Sequence, residues 1–122
     1  MALKLRILII EKDPVLCELL VDMLLKDGHL PTAALAAKDG LRKFDTRPFD
    51  LVICGKKTGR ITGQQVGALI KRRLDAPPVI LMTGSVPGMV PEHADAVLIM
   101  PFSANDLRQA VEEAIRRGTR GS

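Results

Sequence analysis

The amino-acid sequence predicts an α/β domain in which a five-stranded parallel sheet is doubly wound, with helices on both faces. Three features point there: short β-branched apolar runs recur along the chain, amphipathic stretches of helical spacing alternate with them, and Gly, Pro and Asp sit at the junctions. A parallel pair needs a crossover that returns the chain across the sheet, and a right-handed helical crossover does this while covering an apolar face. The 122 residues suffice for one core. Residues 1–118 are expected to fold as a unit, with 119–122 as a disordered tail.

Residues 5–10 form the first strand, and the Glu11-Lys12-Asp13-Pro14 that follows starts a helix with Asp13 as cap and Pro14 in the first turn. Val15, Leu16, Leu19, Leu20, Met23 and Leu24 recur at helical spacing up to Lys26, and Gly28 suits a left-handed C-terminal cap. Residues 30–35 are a weaker strand, and Pro31 confines it to a sheet edge because proline donates no ladder hydrogen bond. A short helix over 37–44 and a buried strand over 50–54 come next. Residues 55–63, rich in Gly, Thr and basic side chains, read as a loop. Val66, Leu69, Ile70 and Leu74 mark a third helix closed by Lys71-Arg72-Arg73, whose charges suit the negative end of its dipole. Strands over 78–82 and 96–100 complete the sheet, and Pro87, Gly88 and Pro91 between them oppose a long helix. Ser103, with Asp106 three residues on, caps a final helix whose stripe is Leu107, Ala110, Val111, Ala114 and Ile115.

Composition narrows the function classes. No apolar run approaches the roughly 20 residues that span a bilayer, and residues 3–10 carry charges where a signal peptide would be apolar, so a cytoplasmic address is expected. Cys17 and Cys54 lack a partner pair or a His at ligand spacing, as expected of reduced core thiols. A net charge of +4 permits attraction to anions, yet no Trp, no Tyr and 3 Phe leave little for bases to stack on, which argues against nucleic acid. Gly55-Lys56-Lys57-Thr58-Gly59 lacks the spacing of a phosphate loop. His29 and His93 are isolated and read as turn or surface residues.

In such sheets the working crevice lies beyond the carboxyl ends of the strands. The residues there are Glu11-Lys12-Asp13, Gly55, Thr83 and Met100-Pro101. This layout, with Gly63 eight positions past Gly55 and the run Ala94-Asp95…Leu98-Ile99-Met100-Pro101-Phe102, resembles the receiver domains of bacterial response regulators from about residue 5 to 117. The resemblance implies a flavodoxin-like strand order of 2-1-3-4-5. It also implies a chemistry: an aspartate after the third strand accepts a phosphoryl group, acids after the first strand hold Mg²⁺, a Thr or Ser follows the fourth strand, and a Lys precedes the Pro-Phe pair.

This sequence departs from that pattern at most positions. Gly55 stands where the nucleophile is expected, Lys12 where a second acid would hold the metal, and Met100 where the lysine would be, while Thr83 is retained. The family's aromatic switch on the fifth strand corresponds to Val97. Asp50 cannot substitute, being five residues upstream on the same strand and so roughly 16 Å away. Asp13 reads as a helix cap rather than an acceptor. The expected reading is therefore a degenerate receiver with no catalytic residue, no cofactor and no bound metal, passing signals through a protein partner or a homodimer without membrane association.

Lys12, Lys56, Lys57 and Arg60 turn the mouth of the crevice basic. They are expected to be solvated, with Lys12 paired to Glu11 or Asp13; a docking patch for an acidic partner and an anion site are the alternatives. The connection from Thr83 to Met100 is short for a receiver, so its helix is expected to shrink to a turn and an interface would be rebuilt around Val86, Met89, Val90, Val97 and the final helix. Met100-Pro101 is expected to be cis, as the resemblance implies. The rival function is a flavodoxin-like domain binding a nucleotide or other anionic small molecule at the same crevice.

Overall fold

A computed structural model describes residues 3–85 and 91–120, with side chains as far as residue 118. The strands are β1 (Arg6–Ile10), β2 (Leu30–Ala34), β3 (Leu51–Cys54), β4 (Val79–Thr83) and β5 (Ala96–Ile99). The helices are α1 (Pro14–Lys26), α2 (Ala37–Thr46), α3 (Gly63–Lys71) and α4 (Ala104–Arg120). All strand pairs are parallel and the order is β2-β1-β3-β4-β5, the doubly wound order expected.

Alternation along each strand splits the core into two layers. Ile7, Ile9, Ile53, Ile80, Met82 and Leu98 face α1 and α4, where they meet Leu20, Leu24 and Leu107. Leu8, Ile10, Val52, Cys54, Val79 and Leu81 face the other way, toward Val66 and Ile70 of α3. Burying each large aliphatic side chain contributes about 1.5–3 kcal/mol, so β1 and β3, buried on both faces, anchor the sheet.

Local signals act as the sequence suggests. The Asp13 carboxylate accepts from the Val15 N–H at 3.0 Å, and Gly28 takes a left-handed φ of 86° beyond α1. Ser103 and Asp106 exchange hydrogen bonds of 2.9 and 3.0 Å at the start of α4. Pro31 lies on β2, one of the two outer strands. The Met100-Pro101 bond is cis.

The third helix differs from expectation. It begins at Gly63, because Thr62 and Gln65 form a reciprocal capping box, and it ends at Lys71. Leu74 therefore lies past the helix and is 93% exposed rather than part of its apolar stripe. Between β4 and β5, residues 91–95 make a turn, and no helix occurs among the described residues. Val86, Met89 and Val90, expected at an interface, lie outside the described residues.

Candidate functional site

Four backbone hydrogen bonds align the first residues beyond the strands. Glu11 N–H donates to the Ala34 carbonyl at 3.0 Å, Gly55 N–H to Ile10 at 2.7 Å, Lys12 N–H to Lys57 at 2.8 Å and Met100 N–H to Thr83 at 2.8 Å. Extending the ladder in this way holds the carboxyl edge by backbone geometry, whatever side chains it carries. The structure thus brings Glu11 and Lys12 beside the loop that follows Gly55, and Met100 beside Thr83.

Glu11 and Gly55 meet most closely. Ile10 and Cys54 are in register on β1 and β3, so the residues that follow them face each other across the end of the pair. Glu11 is 3% exposed, and its Oε2 accepts from the Asp13 N–H at 3.1 Å. A Cβ on Gly55 would stand 2.5 Å from Glu11 Oε1 and 2.7 Å from its Cδ, so the carboxyl group fills the space a side chain at 55 would occupy. Gly63, at the start of α3, packs against the Gly55 carbonyl so closely that no Cβ fits there either. Both glycines are required by close approach rather than by backbone conformation.

The loop expected over 55–63 is more ordered than its composition suggests. Lys57 and Thr62 bridge as a short antiparallel pair, and Gly59 turns the chain with φ 104°. Thr58 is buried: its hydroxyl donates to the Ile61 carbonyl and its own carbonyl accepts from Ala37 N–H at 2.7 Å. This pinned turn leaves Lys56, Lys57 and Arg60 exposed. The Lys56 ammonium reaches across to the β4 side, 3.7 Å from where a Cβ on Gly84 would stand. Lys12 does not pair with Glu11 or Asp13 as expected. Among the described residues, none of Lys12, Lys56, Lys57 and Arg60 forms an ion pair, because Glu11 is turned into the protein and Asp13 is committed to the helix cap.

Thr83 is half-buried, and its hydroxyl exchanges hydrogen bonds with the backbone of Ser85, donating at 3.2 Å and accepting at 3.3 Å. Val97 is half-buried on β5, while Ile99, two residues on, is 38% exposed. A groove of about 490 Å³ runs along this strand, lined by Val97, Ile99, Pro101, Gln109 and Glu113 among others. Both cysteines are buried. Burial pushes the Cys54 thiol up to about 12, and burial together with the Glu11 and Asp13 charges raises Cys17, whose thiol donates to the Glu11 carbonyl at 3.2 Å. Among the described residues, no group of three or more His, Cys, Asp and Glu side chains is placed to hold a metal ion.

A doubly wound parallel sheet with a crevice assembled from the ends of β1, β3 and β4 defines a receiver-type signalling domain. The response regulator receiver domain model matches residues 7–112, and the chain belongs to that family. Transcriptional regulatory protein GlrR of Escherichia coli K12 is 30% identical over 116 residues, covering 91% of this chain and 26% of GlrR. Response regulator protein FleR of Pseudomonas aeruginosa is 34% identical over 111 residues, 87% of this chain and 24% of FleR. The chain thus spans about a quarter of the length of these relatives. Among solved structures, response regulator TrrA of Thermotoga maritima in complex with Mg²⁺-BeF superposes with a TM-score of 0.81 at 26% identity, over 92% of this chain and 99% of that one. Chemotaxis response regulator CheY4 of Vibrio cholerae gives 0.84 at 15% identity over 92% and 99%, a likeness of fold alone.

The sequence places Glu11 in the degenerate pocket but does not reveal that its side chain turns toward Gly55. The signal was present in part, since adjacency of the first and third strands makes residues 11 and 55 neighbours. The capping box of Thr62 and Gln65 is a further local signal, at the end of the loop expected over 55–63.

Proposed function

We propose that this chain is a receiver domain that signals through protein contacts without being phosphorylated. The observation that carries the reading is Gly55: the residue that follows β3 at the crevice offers no side-chain atom to accept a phosphoryl group, and its side-chain space is taken by Glu11. The residues present do not fit Mg²⁺ either. An ammonium at Lys12 repels a divalent cation, and Glu11, the carboxylate nearest the crevice, is buried and turned to Gly55. Thr83, the retained phosphoryl-binding position, is satisfied by Ser85 instead of being held open.

Intact-mass spectrometry after incubation with acetyl phosphate and Mg²⁺ tests the reading. No phosphoryl adduct is expected; an adduct on any carboxylate overturns it. The small-molecule reading rests on the unpaired cations of the rim alone, and the Glu11 carboxyl group beneath them would oppose an anionic ligand entering the crevice. In this reading the domain is not an enzyme, takes no cofactor and works from the cytoplasm. Its partner would approach the basic rim of Lys12, Lys56, Lys57 and Arg60 or the β5 face that carries Val97.

A further inference from the structure

We propose that the amino edge of the sheet carries a binding site for a small uncharged molecule that combines an apolar body with one hydrogen-bond acceptor. The site lies at the opposite end of β1 from Glu11 and Gly55, so it goes beyond the phosphorylation-independent reading and does not depend on it. A groove of about 520 Å³ opens there, between the residues that lead into β1, the turn after α1 and the middle and end of α4. Pockets for small ligands commonly measure about 300–1,000 Å³, and this groove falls within that range.

Its walls define the ligand. Buried Leu5 and Val111, half-buried Ile115 and exposed Leu3 supply apolar surface, which favours a carbon skeleton over water. The charges offer nothing to an anion. Arg108 Nε is held by both oxygens of Asp27 at 3.1 and 3.2 Å, and Arg116 pairs with Glu113. Glu112, whose carboxylate forms no ion pair among the described residues, repels an anion, and its exposure leaves a cation little to gain. The specific contact comes from His29. Its Nδ1 accepts from the Leu5 N–H at 3.1 Å, so the ring carries its proton on Nε2. That second N–H has no acceptor among the described residues, although the half-buried ring lines the groove. Leu5 is also tied through its carbonyl, which accepts from the Leu30 N–H at 2.8 Å, and the donor is thereby held in place before any ligand arrives. A carbonyl oxygen on an apolar ligand satisfies it.

An NMR titration of the isotopically labelled full chain with acetophenone and with ethylbenzene tests the site. The probes are close in size and differ in the carbonyl oxygen; the chain has no Trp or Tyr, and none of its 3 Phe lines the groove, so new ring-current shifts come from the probe. Acetophenone is expected to give saturable shifts centred on the amides of Leu5, His29, Val111 and Ile115, and to bind about fivefold more tightly than ethylbenzene, the worth of one hydrogen bond. His29→Asn sets an oxygen where Nδ1 stood and withdraws the Nε2 donor. The preference for acetophenone is expected to vanish in it while Tm stays within about 3 °C. Equal binding of the two probes, shifts that are absent or centred on Gly55 and Thr83, or a preference that persists in folded His29→Asn would overturn the proposal. Should His29→Asn not fold, the two probes on the natural chain decide alone. A phosphoryl adduct on the natural chain would remove the reading of the crevice and leave this site standing.

Discussion

The two edges of the sheet are secured by different physics. At the amino edge, charges are paired and tie elements together. Asp95 accepts from both the Val79 N–H, at 2.8 Å, and Lys71 at the end of α3, while Asp50 accepts from the Arg6 backbone N–H at 2.8 Å and from its guanidinium. His29 Nδ1 accepts from the Leu5 N–H at 3.1 Å, fixing the turn before β2. At the carboxyl edge, backbone hydrogen bonds and the Gly55 to Gly63 approach maintain the geometry, and the cations around it have no partners among the described residues. The comparison teaches that the two ends of the sheet are held by different sets of residues, so side chains at the carboxyl end can vary without loss of the receiver fold.

Five substitutions break or sharpen this contrast. The largest effect is expected at the carboxyl edge, from backbone rather than charge. Gly63→Ala drives a methyl into the Gly55 carbonyl and should cost about 3 kcal/mol in urea unfolding; a loss within error would show that this edge yields easily. Next comes Asp95→Ala, which leaves the Val79 N–H without its acceptor and removes the carboxylate partner of the Lys71 ammonium, and should cost about 2 kcal/mol.

A smaller effect is expected from pH. Burial opposes ionisation of Asp50, but hydrogen bonds from the Arg6 backbone and guanidinium outweigh it and hold the carboxyl below its ordinary value of 3.8. A lowered folded-state pKa contributes stability above that value and loses it as pH falls through the folded pKa. Asp50→Asn should therefore be less stable than the natural chain at neutral pH, and the difference should close in strong acid. A difference that does not vary with pH would remove the ion pair from the account.

The smallest effect belongs to the basic rim. Lys56→Ala and Lys57→Ala should each change stability by no more than about 0.5 kcal/mol, as exposed, unpaired charges do. A larger loss would reveal a structural role for these cations at the carboxyl edge.

Most of the architecture was legible because it is written in local chemistry. The caps at Asp13 and Ser103, the left-handed Gly28 and the outer placement of Pro31 each follow from what one residue type can or cannot do. The boundaries of α3 were less so. Leu74 continued the apolar spacing, but Lys71 bonds to the Pro77 carbonyl at 3.2 Å and to Asp95, tertiary ties that end the helix and that no local pattern encodes. At the candidate site, the identities of Glu11, Lys12, Gly55, Thr83 and Met100 could be read directly. How they are arranged could not, because the direction of the Glu11 side chain is decided by a glycine 44 positions away, Gly55, that leaves room for it.

Pro31 also bears on how the sheet ends at β2. On β2, Leu30 N–H is spent inward on Leu5, which turns the ring nitrogen of Pro31 outward along the free margin. An incoming chain seeking to extend the sheet from that side meets ring carbons where it needs a proton donor. One of the two flanks of the sheet thus offers an added strand one hydrogen-bond donor fewer.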